Sequence, residues 1–178
     1  MLKMYHTDMQ TNITEETTKF EKGNWINMVA PTEEEIQEVC TNIGIQDNFI
    51  RYALDFEEKA RIDMEEDDQT VLFIIDVPII ELEKSNEEYS TMPLGIIMVR
   101  DDYFITVSIK KNRIIETLEK KKDIITYKKS RLLLQIFYQN ASEFLHYLKR
   151  INKETEIAEN VLKNSLKNRE LLKMLSLE

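Results

Sequence analysis

The chain has 178 residues, 42% hydrophobic and 32% charged, with a formal net charge of -9. That profile fits a water-soluble globular protein with a real core. It excludes a disordered chain and argues against a general nucleic-acid binder, which needs an excess of Lys and Arg on one face. One cysteine, Cys40, cannot close an intramolecular disulfide, no Cys/His cluster offers a zinc site, and no apolar run approaches the ~20 residues of a membrane span.

The N-terminal residues Met1 to Asp8 lack the apolar stretch of a signal peptide, so a reducing compartment is expected. Charge is segregated. The stretch 33–68 is acidic, whereas 110–131 carries Lys110, Lys111, Arg113, Lys120, Lys121, Lys122, Lys128, Lys129 and Arg131. Two solvated faces account for this as well as any binding role does.

In chain order, Leu2 to Asp8 and Gly23 to Val29 read as short strands, with Trp25 a core anchor. After Pro31, Thr32 and Glu35 form a capping box, and Ile36, Val39, Cys40 and Ile43 fall on one helical stripe that stops at Gly44. That stripe explains Cys40 as a buried apolar residue. Asp47 is expected to cap a second short helix whose Phe49, Ile50, Ala53 and Leu54 face the core, ending near Asp55.

Ile62 and Met64 alternate with Asp63 and Glu65, the pattern of a half-buried strand. A polar turn at Glu66, Asp67, Asp68 and Gln69 then leads into a partner strand over 70–80, with Pro78 marking an edge or a frayed end. A polar loop is expected over 83–90, then strands over 94–99 and 103–109 around Asp101 and Asp102. Beyond Lys110 there is no Pro or Gly, so helices follow: a short one over 112–121 and a long one from about Lys129 to Lys163. Leu134, Phe137, Ala141, Phe144, Leu148, Ile151, Thr155, Ala158 and Leu162 repeat at spacings of three and four, a coiled-coil seam. Such a helix is roughly 50 Å long, more than a sheet of this size covers. Asn164 to Asn168 reads as a connection into a returning helix that begins at Leu171 and is cut at Glu178.

The predicted fold class is therefore α+β, layered α/β/α: a mixed, largely antiparallel sheet flanked by short helices and followed by a long antiparallel helical hairpin. A sheet domain is expected over 1–127, with the long helix and the start of its return over 128–178.

No catalytic constellation stands out. His6 and His146 lie beside no nucleophile motif, and glycines at 23, 44 and 95 build neither GxGxxG nor a phosphate loop. Glu65, Glu66, Asp67 and Asp68 lack the alternation of a calcium-binding EF-hand loop and suit a solvated turn.

The order of segments resembles one family. Trp25-Ile26-Asn27-Met28-Val29, Pro31-Thr32-Glu33-Glu34-Glu35-Ile36, Ala53-Leu54-Asp55, Arg61-Ile62-Asp63-Met64-Glu65, Phe104-Ile105-Thr106-Val107 and Arg131-Leu132-Leu133-Leu134 together look like the N-terminal cytoplasmic domain of CorA-type magnesium transporters. The resemblance covers essentially the whole chain. It implies a non-enzymatic homopentamer at the cytoplasmic face of the cell membrane, anchored by C-terminal membrane helices that this sequence lacks, along with the family's Gly-Met-Asn signature. The chain by itself is then soluble, a monomer or weak dimer.

The resemblance also implies weak regulatory Mg²⁺ binding between subunits, with Asp55 as the matching protein ligand. Asp55 has a structural alternative, as a helix-end residue hydrogen-bonded locally or to Arg61. Two other readings stand beside the transporter: a soluble adaptor that binds a protein partner through the helical hairpin, and a carboxylate-dependent metalloenzyme that nothing in the chain favours.

Overall fold

The computed structural model describes residues 1–65, 69–83, 86–100, 102–121 and 123–175, and falls into two compact units, Met1–Ala141 and Ser142–Glu178. The first unit holds a seven-stranded sheet. Its strands are β1 (Leu2–Thr7), β2 (Thr14–Thr17), β3 (Trp25–Val29), β4 (Arg61–Glu65), β5 (Thr70–Glu83), β6 (Asn86–Val99) and β7 (Tyr103–Ser108). They lie in the order β2-β1-β3-β7-β6-β5-β4, and only β3 with β7 is parallel, from Trp25 opposite Phe104 to Val29 opposite Ser108.

Side chains alternate cleanly across this sheet, as a period of two requires. One face presents Ile26, Met28, Leu72, Ile74, Ile97, Val99, Ile105 and Val107, and it is covered by α1 (Glu33–Ile43) and α2 (Asn48–Tyr52). The other presents Trp25, Val77, Leu94, Ile96 and Phe104. It is covered by α3 (Arg113–Glu119) and by Leu132 and Ile136 at the start of α4 (Lys129–Leu175). The three predicted layers are therefore present. Each of these large apolar side chains contributes about 1.5–3 kcal/mol on burial.

Local chemistry sets the ends of α1. Thr32 Oγ1 accepts from the Glu35 amide and the Glu35 carboxylate accepts from the Thr32 amide, the predicted capping box. Gly44 closes the helix in the left-handed region at φ 77°, which costs a residue with a Cβ but not glycine. Asp47 behaves otherwise than the sequence suggests. It makes no side-chain cap, because its carboxylate instead accepts from Arg51 Nε at 2.7 Å. The same guanidinium grips Glu33 with both terminal nitrogens, at 3.1 and 2.7 Å, so Arg51 ties α2 to the first turn of α1. Asn112 caps α3 through the Ile115 amide at 2.9 Å.

Other expectations change, and one strand was not foreseen. Strand β2, too polar to betray itself, pairs with β1 at the sheet edge. Residues 83–90 are not a loop: β5 and β6 run 14 residues each and pair out to Glu83 opposite Asn86. Pro78 falls where β5 is a sheet edge, one of the two positions the sequence suggested, because β4 pairs only with Thr70 to Ile74. Ile62 and Met64, expected to be half-buried, are 63% and 72% exposed, since β4 is the last strand and its face lies beyond the helical cover.

The last correction concerns α4, which continues unbroken through Asn164 to Asn168 and ends at Leu175. No returning helix forms among the described residues. Asn and Ser lower helix propensity by only tenths of a kcal/mol, too little to end a helix without Gly or Pro. In the second unit α4 carries the ion pairs Arg150–Glu154 and Glu159–Lys163 and exposes Leu145, Leu148, Ile157, Val161 and Leu162. The seam residues Leu134, Leu148 and Leu162 are thus uncovered in the chain.

Gly95 explains how α2 sits so close to the sheet. A Cβ at position 95 would lie 2.4 Å from the Cβ of Ala53, itself fully buried. Gly95→Ala is expected to destabilise the fold by about 1–3 kcal/mol through overpacking. Ala53→Gly in the same chain should restore part of that loss, which urea unfolding midpoints of the two single variants and the double variant measure.

A second prediction concerns acid. The hydrogen bond and charge of Arg51 hold the Glu33 carboxyl below its ordinary range. A folded-state pKa below the unfolded one contributes stability that is complete above about pH 4.3 and is lost as pH falls through the lower folded value. Melting temperatures recorded from about pH 6 to about pH 3 should decline more steeply for the native chain than for Glu33→Gln.

Candidate functional site

Asp55 stands in the turn between α2 and β4. The helix before it is pinned at three points: Phe49 and Ile50 are buried in the core, Ala53 sits against Gly95, and Arg51 holds Glu33 and Asp47. The chain then turns through backbone bonds from the Leu54 amide to Arg51 O, the Asp55 amide to Tyr52 O and the Glu58 amide to Asp55 O, at 3.0, 3.3 and 3.2 Å. Asp55 Oδ1 accepts from the Glu57 amide at 3.0 Å. The side chain is exposed, and Oδ2 makes no hydrogen bond or ion pair among the described residues.

Of the two local partners foreseen for Asp55, only the backbone one is present. Arg61 is engaged elsewhere: its Nε donates to Asp63 Oδ2 at 2.6 Å, it pairs with Glu58, and its guanidinium lies 4.8 Å from the centroid of the Tyr52 ring. Those bonds, to Asp63 foremost, hold the guanidinium in its charged form. The turn therefore offers one oriented carboxylate with a spare oxygen.

A single carboxylate suits a cation that keeps most of its water. Mg²⁺ takes one or two carboxylates and retains several waters, so Asp55 fits as one ligand of such an ion. It cannot form a closed protein cage: among the described residues no group of three or more His, Cys, Asp or Glu side chains is placed to hold a metal.

The remaining sequence candidates have structural explanations or lie beyond view. Cys40 is buried in α1, and burial together with the nearby Asp47 charge raises its thiol pKa, which keeps it protonated and inert. His146 is exposed and packs edge-on against Tyr147 at 5.6 Å. His6 Nδ1 lies 2.8 Å from Asn24 Oδ1. Of the acidic turn, Glu66, Asp67 and Asp68 lie outside the described residues.

Sequence reasoning missed a polar relay on the α3 side of the sheet. Trp25 Nε1 donates to Thr106 Oγ1, which donates to Asn27 Oδ1, and Asn27 Nδ2 donates to Glu119 Oε1, each at 3.0 Å. Tyr5 OH donates to the same carboxylate oxygen at 2.8 Å. Burial, then the Glu119 carboxylate beside it, pushes the Tyr5 phenol far above its ordinary pKa. The partners come from β1, β3, β7 and α3, so no local spacing could have announced them.

Among the described residues, no helix is long and apolar enough to cross a membrane. Solved structures share the fold. The soluble domain of CorA from Methanocaldococcus jannaschii superposes with a TM-score of 0.74 at 21% identity, covering 91% of this chain and 64% of that one. The complete CorA magnesium transporter of the same organism gives 0.68 at 22% identity, over 90% of this chain and 50% of the other. The ZntB cytoplasmic domain from Vibrio parahaemolyticus gives 0.63 at 15% identity, over 85% and 62%. At these identities the likeness shows the fold, and the chain spans about half the length of the complete transporter. Direct sequence comparison with curated proteins gave no match. The family comparison is decisive, because the description of the CorA-like Mg2+ transporter protein family matches residues 20–177. The chain belongs to that family, which comprises ion transporters and not enzymes.

Proposed function

We propose that this chain is the cytoplasmic regulatory domain of a homopentameric CorA-like transporter of Mg²⁺ or another divalent cation, responding to intracellular Mg²⁺ bound weakly between subunits. The observation that carries the reading is the family match over residues 20–177, within which Asp55 presents a spare carboxylate oxygen on a rigidly anchored turn. The Glu57 amide fixes the carboxylate orientation, and the Arg51 and Ala53 anchors fix the turn. Asp55 thus needs little ordering to meet a hydrated cation shared with a neighbouring subunit.

Electrostatics give the ligand leverage. Neighbouring domains that each carry a formal charge of -9 repel one another, and a cation held at their boundary lowers that repulsion in one arrangement only. A ligand that prefers one arrangement shifts the population toward it, and by linkage the arrangement tightens the ligand. The adaptor alternative loses its stated surface, because α4 is one helix among the described residues and presents no hairpin.

In the transporter that carries this domain, Asp55→Ala is expected to relieve inhibition of cation uptake by intracellular Mg²⁺, raising the inhibitory concentration severalfold. Uptake into vesicles loaded with graded Mg²⁺ measures it. An inhibition curve identical to that of the native protein removes Asp55 from the mechanism.

A further inference from the structure

We propose that a cleft between the β1–β2 edge of the sheet and the end of α3 binds a small organic cation, a primary alkylammonium, with Glu119 as its acceptor. The cleft has a volume of about 320 Å³ and is lined by Tyr5, Ile13, Thr14, Trp25 and Ile124, with Glu16, Glu119, Asn12 and Lys121 as its polar groups. That volume is in the range of small-molecule sites, which combine apolar walls with a few fixed polar groups.

The polar groups are not equivalent. Glu119 is held in place by Tyr5 OH and the Asn27 amide, which both reach Oε1. Its Oε2 makes no hydrogen bond or ion pair among the described residues, so a fixed carboxylate with a vacant acceptor lines the cavity. Tyr5 and Trp25 pack with ring centroids 5.0 Å apart and form the buried aromatic side of the cleft, Trp25 being only 1% exposed. Glu16 adds a second negative charge close enough to act on the Tyr5 phenol. A carboxylate, an aromatic wall and aliphatic sides together match an ammonium head with a short alkyl tail. A hydrated metal ion would gain nothing from Ile13 and Ile124, and an anion would meet two carboxylates. Lys121 opposes a cation, and the proposal therefore predicts the sign of its removal. The inference uses none of the Asp55 geometry and stands apart from the regulatory reading.

Trp25 is the chain's single tryptophan and lines the cleft, so its fluorescence reports binding directly. Titration of the full chain with butylammonium chloride is expected to give a saturable change. Butanol, and MgCl₂ at matched ionic strength, should give none. Glu119→Gln should weaken binding about tenfold or more, as loss of a charge-assisted hydrogen bond implies. Because Glu119 also braces Tyr5 and Asn27, that variant can lose its fold, and two variants at the cleft margin then decide. Glu16→Gln should weaken binding about twofold to threefold and Lys121→Met should tighten it by a similar factor. The proposal is overturned if the butylammonium change does not saturate. It also fails if butanol or MgCl₂ reproduces the change, or if Glu16→Gln and Lys121→Met leave the affinity unmoved.

Discussion

The parallel pairing of β3 with β7 is the constraint on which the rest of the first unit depends. These two strands lie inside the sheet, and all five residues from Trp25 to Val29 are buried along with Phe104 to Ser108. Strands closed to water on both faces require a helical layer on each side and a crossover long enough to return the chain in the same direction. The crossover here contains α1, α2 and the β4–β5–β6 meander, so the turn at Asp55 belongs to the connection that the parallel pair demands. Of the buried polar residues of the pair, Asn27 and Thr106 satisfy each other and Trp25 in one relay, and Ser108 donates to Lys110 O.

From that pair outward, helix position is set by how closely backbone can approach sheet. On one face a missing Cβ at Gly95 admits Ala53, and α2 settles low enough for Arg51 to reach both Glu33 and Asp47. On the other, Glu119 at the end of α3 receives hydrogen bonds from Tyr5 and Asn27, which tie that helix to the edge half of the sheet. Apolar packing holds both helix layers, with the Arg51 ion pairs added on one side and the Glu119 hydrogen bonds on the other. Asp55 and Glu119 each keep one carboxylate oxygen without a partner among the described residues.

What was legible in the sequence was what local chemistry encodes. The Thr32–Glu35 capping box, the apolar stripe ending at Gly44, and the apolar runs rich in Val, Ile and Phe over 70–80, 94–99 and 103–109 each carry their signal within a few residues. The ordered series of segments from Trp25 to Leu134 was enough to suggest the family. Features written in the competition between distant groups were hidden. Asp47 has the chemistry of a cap, yet Arg51 offers its carboxylate a stronger partner. Ile62 and Met64 alternate like a buried face, but burial depends on what overlies the strand, which β4 itself cannot specify. The polar strand β2 and the 83–90 segment take extended structure from a neighbouring strand and not from their own composition. Asp55 could be placed on its turn from the sequence, whereas the vacancy at its Oδ2 follows only from seeing Arg61 committed to Asp63 and Glu58.

A helix that, like α4, lacks Gly and Pro has no local reason to stop, so Asn164 to Asn168 pass as ordinary helical positions despite their weak propensity. Its i,i+4 ion pairs support it at the surface, each by a few tenths of a kcal/mol. Leu145, Leu148, Ile157, Val161 and Leu162 do nothing for it there. Apolar residues repeated at helical spacing and left in water gain no burial energy in the chain as it stands, so their stabilising contribution has to be realised against another surface. In the regulatory role proposed above, such a helix would have a use. Contacts that the isolated chain leaves unmade are available to differ between two arrangements of an assembly, and only interactions that differ between states can transmit the binding of a ligand.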